Sequence, residues 1–149
     1  MSANGIATDQ DKIKVIVELP WPLHYKGVHI FMGHCSYYRR FIYMYANVAR
    51  PLYALLIVFE WTDECEEAFQ KLKQALISAP ILKAPDWNKI FHVHIDASAY
   101  AIGCILAQPH ENNMDFSVSY SSHQLNSTEK NYTTTEREGL SMVYAVKKF

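Results

Sequence analysis

Two carboxylates stand in different local patterns whose order along the chain could bring them together. Asp96 lies at the end of an alternating stretch that begins at Phe91, and Glu138 lies inside a helix-like pattern. The segment between them has the alternation of two further strands. A carboxylate within an apolar element is costly to desolvate unless it has a cation or a hydrogen-bond partner. Two of them on adjoining elements therefore predict a divalent-metal site with oxygen ligands.

The periods of the two elements predict which way each carboxylate faces. Side chains alternate along a strand, so Asp96 shares the polar face of His92 and His94. On a regular helix, Glu138 lies on one stripe with Met142, Ala145 and Phe149. Ordinary structural roles stay open for both carboxylates. An Asp at a strand end often starts a turn, and a Glu near a helix start often serves the helix dipole.

The histidine and cysteine spacings are poor matches to a metal site of the soft or intermediate type. His92 and His94 have a spacing that can chelate a metal, but no third ligand is evident and we favour a solvated strand face. Cys35, Cys65 and Cys104 are odd in number and widely spaced. They indicate reduced, buried thiols rather than a disulfide framework or a zinc site.

A basic and aromatic segment is the second candidate for binding. Arg39 and Arg40 are cations that stand beside the aromatic ring of Tyr37. This combination suits contacts to phosphate, sugar or stacked bases. The alternative is structural: Tyr38 and Phe41 would belong to the core, and the two arginines would be solvated edges. The pattern favours neither interpretation.

Composition limits the classes of function that remain. The chain has 149 residues, half of them hydrophobic, which is about one domain's worth and enough for a packed core. A formal net charge of −1 excludes a globally basic nucleic-acid binder, so any such contact must come from local clusters. No window resembles a membrane span or a signal peptide, and we expect an intracellular protein with no membrane partner.

The first part of the chain has helical periodicity. Apolar residues at intervals of three and four predict two short helices within 28–45, and Pro51 is expected to mark the end of the second. A further helix is predicted after Thr62, which can cap it, with acidic residues in its first turn. The stretch 12–19 fits either a strand or a short helix.

After residue 85 the apolar period changes to two. Alternation over 91–96 and 116–120 and an apolar run over 100–107 predict three strands, and a helix follows from about Thr134. The sequence therefore predicts an α/β fold in which an N-terminal helical part is followed by a three-stranded antiparallel sheet and one helix.

An ordered series of segments along nearly the whole chain resembles a known family. The chain is similar to the part of a gypsy-type LTR-retrotransposon polyprotein that runs from the end of the reverse transcriptase, through its thumb and connection, into the ribonuclease H domain. The segments are Met32-Gly33-His34, Tyr37-Tyr38-Arg39-Arg40-Phe41-Ile42, Ala49-Arg50-Pro51-Leu52, Trp61-Thr62 with Cys65, Ala68-Phe69 and Leu72-Lys73, Ala79-Pro80-Ile81-Leu82, Asp96-Ala97-Ser98 with Ile102-Gly103 and Leu106-Ala107-Gln108, and Asn131-Tyr132 leading to Glu136-Arg137-Glu138.

The resemblance implies a role for each of the two carboxylates. Asp96 matches the first-strand Asp of the ribonuclease H carboxylate set and Glu138 the first-helix Glu. In that family the carboxylates hold two divalent ions, normally magnesium, and the RNA strand of an RNA–DNA hybrid is cut. The implied partners are such a hybrid or another nucleic-acid duplex, together with the rest of the polyprotein.

The same resemblance divides the chain and limits its expected activity. Residues 1–22 would end the polymerase palm, 23–85 would be the thumb and connection, and 86–149 a truncated ribonuclease H-like domain. The polymerase aspartates and the last carboxylates of the ribonuclease H set would lie outside this chain. We therefore expect at most one weak magnesium site and little cleavage by the chain alone. The alternatives are a non-catalytic nucleic-acid-binding remnant and a decayed element copy without function.

Overall fold

The helices and strands follow the order that the sequence predicts. The computed structural model describes residues 5–110, 112 and 114–149. Helices α1 (Gln10–Glu18), α2 (Tyr25–Tyr37), α3 (Tyr45–Ala54) and α4 (Asp63–Ile77) come first, with a 3₁₀ turn at Arg39–Phe41. Strands β1 (His92–Ala97), β2 (Ala101–Pro109) and β3 (Asp115–Gln124), a 3₁₀ turn at Glu129–Asn131 and helix α5 (Thr134–Lys148) follow. The α/β class is confirmed.

Residues 5–82, called the helical half below, surround one apolar core. The helix predicted after Thr62 is α4, whose apolar residues at helical spacing are buried, and the Thr62 side chain accepts a hydrogen bond from the backbone N–H of Cys65 as its N-cap. The predicted stripe of α2 is also buried, as Val28, Phe31, Met32 and Cys35. The ambiguous stretch 12–19 is helical within α1, because Asp9 caps it and Ile13 and Ile16 point into this core.

The second predicted helix of this region is wrong in its bounds. Residues 38–45 are buried where the pattern requires it, but they form the 3₁₀ turn and an irregular bend in which Met44 is left-handed, with φ of 50°. The helix starts only at Tyr45 and runs through Pro51 to Ala54. A proline inside a helix loses one hydrogen bond, and here the complete burial of Leu52 one residue later offsets that cost.

Residues 91–149, called the sheet half below, contain an antiparallel sheet in the order β1-β2-β3. Asp96 pairs with Gly103, and Gly103 pairs in turn with Ser122. Directly paired residues of antiparallel strands share a face of the sheet, so these three lie on one side. Ile95, Cys104 and Ser121 pair in the same way on the other side. β1 and β3 are the two edges of this sheet.

Helix α5 covers the side of the sheet that carries Ser121. A capping box between Thr133 and Glu136 begins the helix. The hydroxyl groups of Tyr144 and Ser121 are hydrogen-bonded at 2.7 Å, and Ser141 and Ala145 are the buried residues of the helix.

Only one of the four members of the stripe predicted for this helix is buried. Ala145 is buried, whereas Met142 is 58% exposed, Phe149 is 42% exposed, and Glu138 is also exposed. Tyr144 is hydrogen-bonded to β3, so the face of α5 that packs on the sheet includes Ser141. Serine is a polar residue, and the apolar pattern of the sequence therefore does not identify this face. Within the described ranges, no helix is long and apolar enough to cross a membrane.

Candidate metal site and nucleic-acid surface

Asp96 lies one residue before the end of β1 and is exposed. Its Oδ2 accepts a hydrogen bond of 2.5 Å from the hydroxyl of Tyr43, which comes from the helical half. Burial, and then the hydrogen bond to Asp96, raise the pKa of the Tyr43 phenol to about 12. The phenol therefore stays protonated and donates to the carboxylate at neutral pH. Asp96 accordingly faces the helical half.

Glu138 lies in the second turn of α5 and is also exposed. Its side chain forms no hydrogen bond or ion pair with another described residue. Asp96 faces the helical half, whereas α5, which carries Glu138, covers the other side of the sheet. Their shared metal site stays a prediction.

The donor atoms of this pair fit magnesium in kind. Both ligands are carboxylate oxygens, the type that magnesium prefers, and both are open to solvent, which suits an ion that keeps several of its waters. No group of three or more His, Cys, Asp or Glu side chains in the described ranges is arranged to hold a metal ion. Only a site with few protein ligands is therefore available from these residues.

His92 and His94 are not a free solvated pair. His92 Nδ1 lies 2.9 Å from both carboxylate oxygens of Asp115, and His94 Nε2 lies 2.8 Å from Asp115 Oδ2. Hydrogen bonds from the two histidines hold the pKa of Asp115 below its ordinary range. Since these ring nitrogens are engaged by Asp115, we interpret the three residues as a clasp between β1 and β3.

Tyr37, Arg39 and Arg40 form an exposed basic and aromatic patch. Tyr37 is 75% exposed at the end of α2, and both arginines are exposed in the 3₁₀ turn that follows. Neither arginine is ion-paired with a described residue, while Tyr38 and Phe41 are buried beneath them. The structural interpretation of Tyr38 and Phe41 is thus correct, and it leaves the two cations available to a ligand.

Sequence reasoning missed Tyr43 and Asp115. Tyr43 precedes its partner Asp96 by 53 positions and belongs to another part of the fold, so no local pattern could reveal it. Asp115 sits at the start of β3, two strands away from the histidines it contacts. Its proximity depends on the register of the whole sheet, which the alternation of single strands does not give.

Comparison with known proteins gives the fold and the family. The model of the RNase H-like domain found in reverse transcriptase matches residues 61–149. The chain is 39% identical over 145 residues to the retrovirus-related Pol polyprotein from transposon 412 of Drosophila melanogaster, covering 95% of this chain and 12% of that protein. It is 38% identical over 153 residues to that from transposon 297 of the same organism, covering 100% of this chain and 14% of the relative. The chain thus spans only a small part of these polyproteins.

Solved structures of a foamy viral enzyme share the architecture. The protease-reverse transcriptase in complex with an RNA/DNA hybrid is 22% identical with a TM-score of 0.82, covering 99% of this chain and 20% of that one. A structure of the same enzyme described as dRH, in complex with double-stranded DNA, has a TM-score of 0.84 at 22% identity, covering 97% of this chain and 26% of that one. At this identity the likeness concerns the fold, since one fold can carry different functions.

Proposed function

The chain belongs to the family of RNase H-like domains found in reverse transcriptase, and from this membership we propose that it supplies two carboxylates for metal-dependent cleavage of RNA in RNA–DNA hybrids. It would act as one segment of a retrotransposon polyprotein, the class of protein to which its curated relatives belong. The foamy viral enzyme of similar fold was solved with an RNA/DNA hybrid, which supports that duplex as the partner.

One observation carries this proposal. Within the matched domain, Asp96 lies next to the last residue of the first strand, Glu138 lies on the first helix after three antiparallel strands, and both are exposed without an ion pair. This pair has the order, the oxygen chemistry and the solvent access that suit a magnesium site.

The residues of this chain would divide the work between binding and orientation. Asp96 and Glu138 would hold the ion, which when bound would supply an activated water and stabilise the leaving oxygen. Exposure of both carboxylates leaves room for a duplex backbone to approach them. Because the chain offers two carboxylates and no larger ligand group in its described part, we expect weak metal binding.

Manganese(II) titration followed by electron paramagnetic resonance tests the proposed pair. Manganese prefers the same octahedral oxygen ligands as magnesium, and its free ion gives a signal that disappears on binding. We expect weak binding by the natural chain and loss of that binding in Asp96→Asn and in Glu138→Gln, because each variant removes one charged ligand. Magnesium should compete for the site.

Glu136→Gln is the matched control on the same helix. Glu136 accepts hydrogen bonds from the backbone N–H and hydroxyl of Thr133, and Gln can keep the capping box. The control should therefore bind manganese like the natural chain. Equal binding by all four proteins, or no binding by any of them, contradicts the proposal. Cleavage of an RNA–DNA hybrid, which we expect near background for this chain, should show no dependence on Asp96 if the carboxylate is not catalytic.

The exposed patch of Tyr37, Arg39 and Arg40 supports a second function, the gripping of a nucleic-acid duplex without cleavage. Arginines without an ion pair can bind phosphate, and the neighbouring ring can stack on a base or sugar. Such binding should be weak and strongly dependent on salt, because it releases counterions from the duplex.

Fluorescence anisotropy with a labelled RNA–DNA hybrid measures this binding. Replacing both Arg39 and Arg40 by Ala should weaken binding and lower the slope of log K against log salt by about 2, since two phosphate contacts are lost. Lys14→Ala is the control, because Lys14 lies 4.0 Å from the carboxylate of Glu18 and is already paired. A double variant that binds with the natural affinity and salt slope excludes this patch.

A further inference from the structure

We propose that Tyr43 is a positioning residue for Asp96, so that the candidate metal site depends on docking of the helical half onto the sheet. This inference rests on the proposed function, because it takes Asp96 to be a metal ligand. It adds that a residue from outside the sheet holds that ligand in place. The argument starts from the contacts between the two halves around Asp96.

The segment 43–47 lies across the face of the sheet that carries Asp96. The backbone N–H of Ala46 donates to Ser122 Oγ at 2.9 Å, and the Ser98 hydroxyl donates to Asn47 Oδ1 at 3.3 Å. Both contacts come from residues that closely follow Tyr43, whose hydroxyl donates to Asp96. The segment is therefore held against the sheet at three points, and Tyr43 is not a free side chain that touches Asp96 by chance.

The close approach of this segment is possible because position 103 is a glycine. Gly103 is the direct partner of Asp96 in β2. A Cβ added there would come within 2.3 Å of the sulfur of Met44, the residue next to Tyr43. Any larger residue at position 103 would displace Met44 from the sheet unless the Met44 side chain changed its conformation. The absence of a side chain at position 103 thus allows the segment with Tyr43 to approach the sheet beside the Asp96 carboxylate.

The contact engages one oxygen of the carboxylate and leaves the other available. Tyr43 donates to Oδ2, and Oδ1 accepts no hydrogen bond from the described residues. The Tyr43 ring itself is held edge-on against Tyr120 of β3, with centroids 6.1 Å apart. A hydrogen bond to a charged acceptor from a ring fixed in this way restricts the rotation of Asp96. Oδ1 is then presented in one orientation to an incoming ion.

This arrangement has the form of an outer partner that orients a metal ligand. Removing such partners typically weakens metal affinity about 10- to 100-fold. The opposite effect would follow if Tyr43 competed with the ion for the carboxylate, because its removal would then tighten binding. The direction of the change therefore separates positioning from blocking.

Manganese(II) titration of Tyr43→Phe, with the whole chain, tests the inference. Phe keeps the ring against Tyr120 and removes only the hydroxyl, so the fold should be retained. We expect affinity to fall about tenfold. Tyr25→Phe is the matched control, since the Tyr25 hydroxyl has no hydrogen bond to a described residue and its side chain is 54% exposed. Its affinity should be unchanged.

Including Asp96→Asn in the same series distinguishes the two possible failures. If Asp96→Asn abolishes binding while Tyr43→Phe binds as well as or better than the natural chain, the positioning role is overturned and the proposed function stands. Equal weakening by Tyr25→Phe also overturns it. If Asp96→Asn binds normally, or if the natural chain does not bind the ion, the proposed function fails and the inference fails with it.

A second measurement does not depend on the metal. The hydrogen bond of Tyr43 to Asp96 should change the chemical shift of the Tyr43 ring carbon that bears the hydroxyl, and Asp96→Asn should alter that shift because the charged acceptor is lost. Carbon NMR of ring-labelled tyrosine follows this signal at neutral pH. An identical shift in both proteins would show that the hydrogen bond is not formed in solution, and would overturn the positioning role.

Discussion

The helical half and the sheet half bury their apolar side chains to different extents. The large cluster of buried residues consists of side chains from α1 to α4 and of Leu82 just after them. On α5, by contrast, Met142, Val143 and Val146 are all more than half exposed. A closed core stabilises a fold, whereas an open face leaves side chains accessible to ligands. The helical half therefore provides the stable support, and the sheet half carries the candidate metal site.

The largest expected effect comes from a core truncation in the helical half. Leu72→Ala removes a fully buried side chain of α4 and should lower the free energy of unfolding by about 2 to 5 kcal/mol. Val146→Ala on α5 alters a residue that is 81% exposed, and should change the free energy of unfolding by less than about 0.5 kcal/mol. Urea unfolding of both variants makes the comparison. Similar losses would contradict the division into a closed and an open half.

A smaller effect is expected where the two halves meet. Gly103→Ala should lower the free energy of unfolding by about 1 to 3 kcal/mol, because the added methyl group collides with Met44. Gly33→Ala in α2 is the control: its Cβ would meet nothing within 4 Å, and helix propensity predicts a gain of about 0.5 to 1 kcal/mol. Thermal unfolding of both variants shows whether each substitution lowers or raises stability. If Gly103→Ala leaves the free energy of unfolding unchanged, the Met44 side chain moves aside without cost.

The smallest effect concerns the clasp within the sheet half. Asp115→Asn removes the charge that His92 and His94 contact, and should lower stability only slightly because these side chains are exposed. The folded-state pKa of Asp115 is lowered, so its contribution is fully present above the ordinary carboxyl value of 3.8 and is lost as the pH falls through the lower folded value. Thermal unfolding against pH measures the gap between the two proteins. A gap that persists at the acid end would assign the effect to something other than this charge.

The site was accessible to sequence reasoning only in part. The positions of Asp96 and Glu138 on a strand end and a helix followed from periodicity, because each period is a local property of the backbone. The face that α5 turns toward the sheet did not follow, since the hydrogen bond of Tyr144 to Ser121 outweighs the apolar count along the helix. The same holds for α3, where burial of Leu52 carries the helix past Pro51.

The pattern of residues along the chain was enough to predict the α/β class, the order of helices and strands, the buried stripes of α2 and α4, and the resemblance that the family match confirms. The contact of Tyr43 with Asp96, the contact of Asp115 with two histidines, and the face of the sheet on which Asp96 lies depend on the folded arrangement. Periodicity and capping act between residues a few positions apart. These contacts join residues from different strands and helices, and they exist only once register and packing have brought the two halves together.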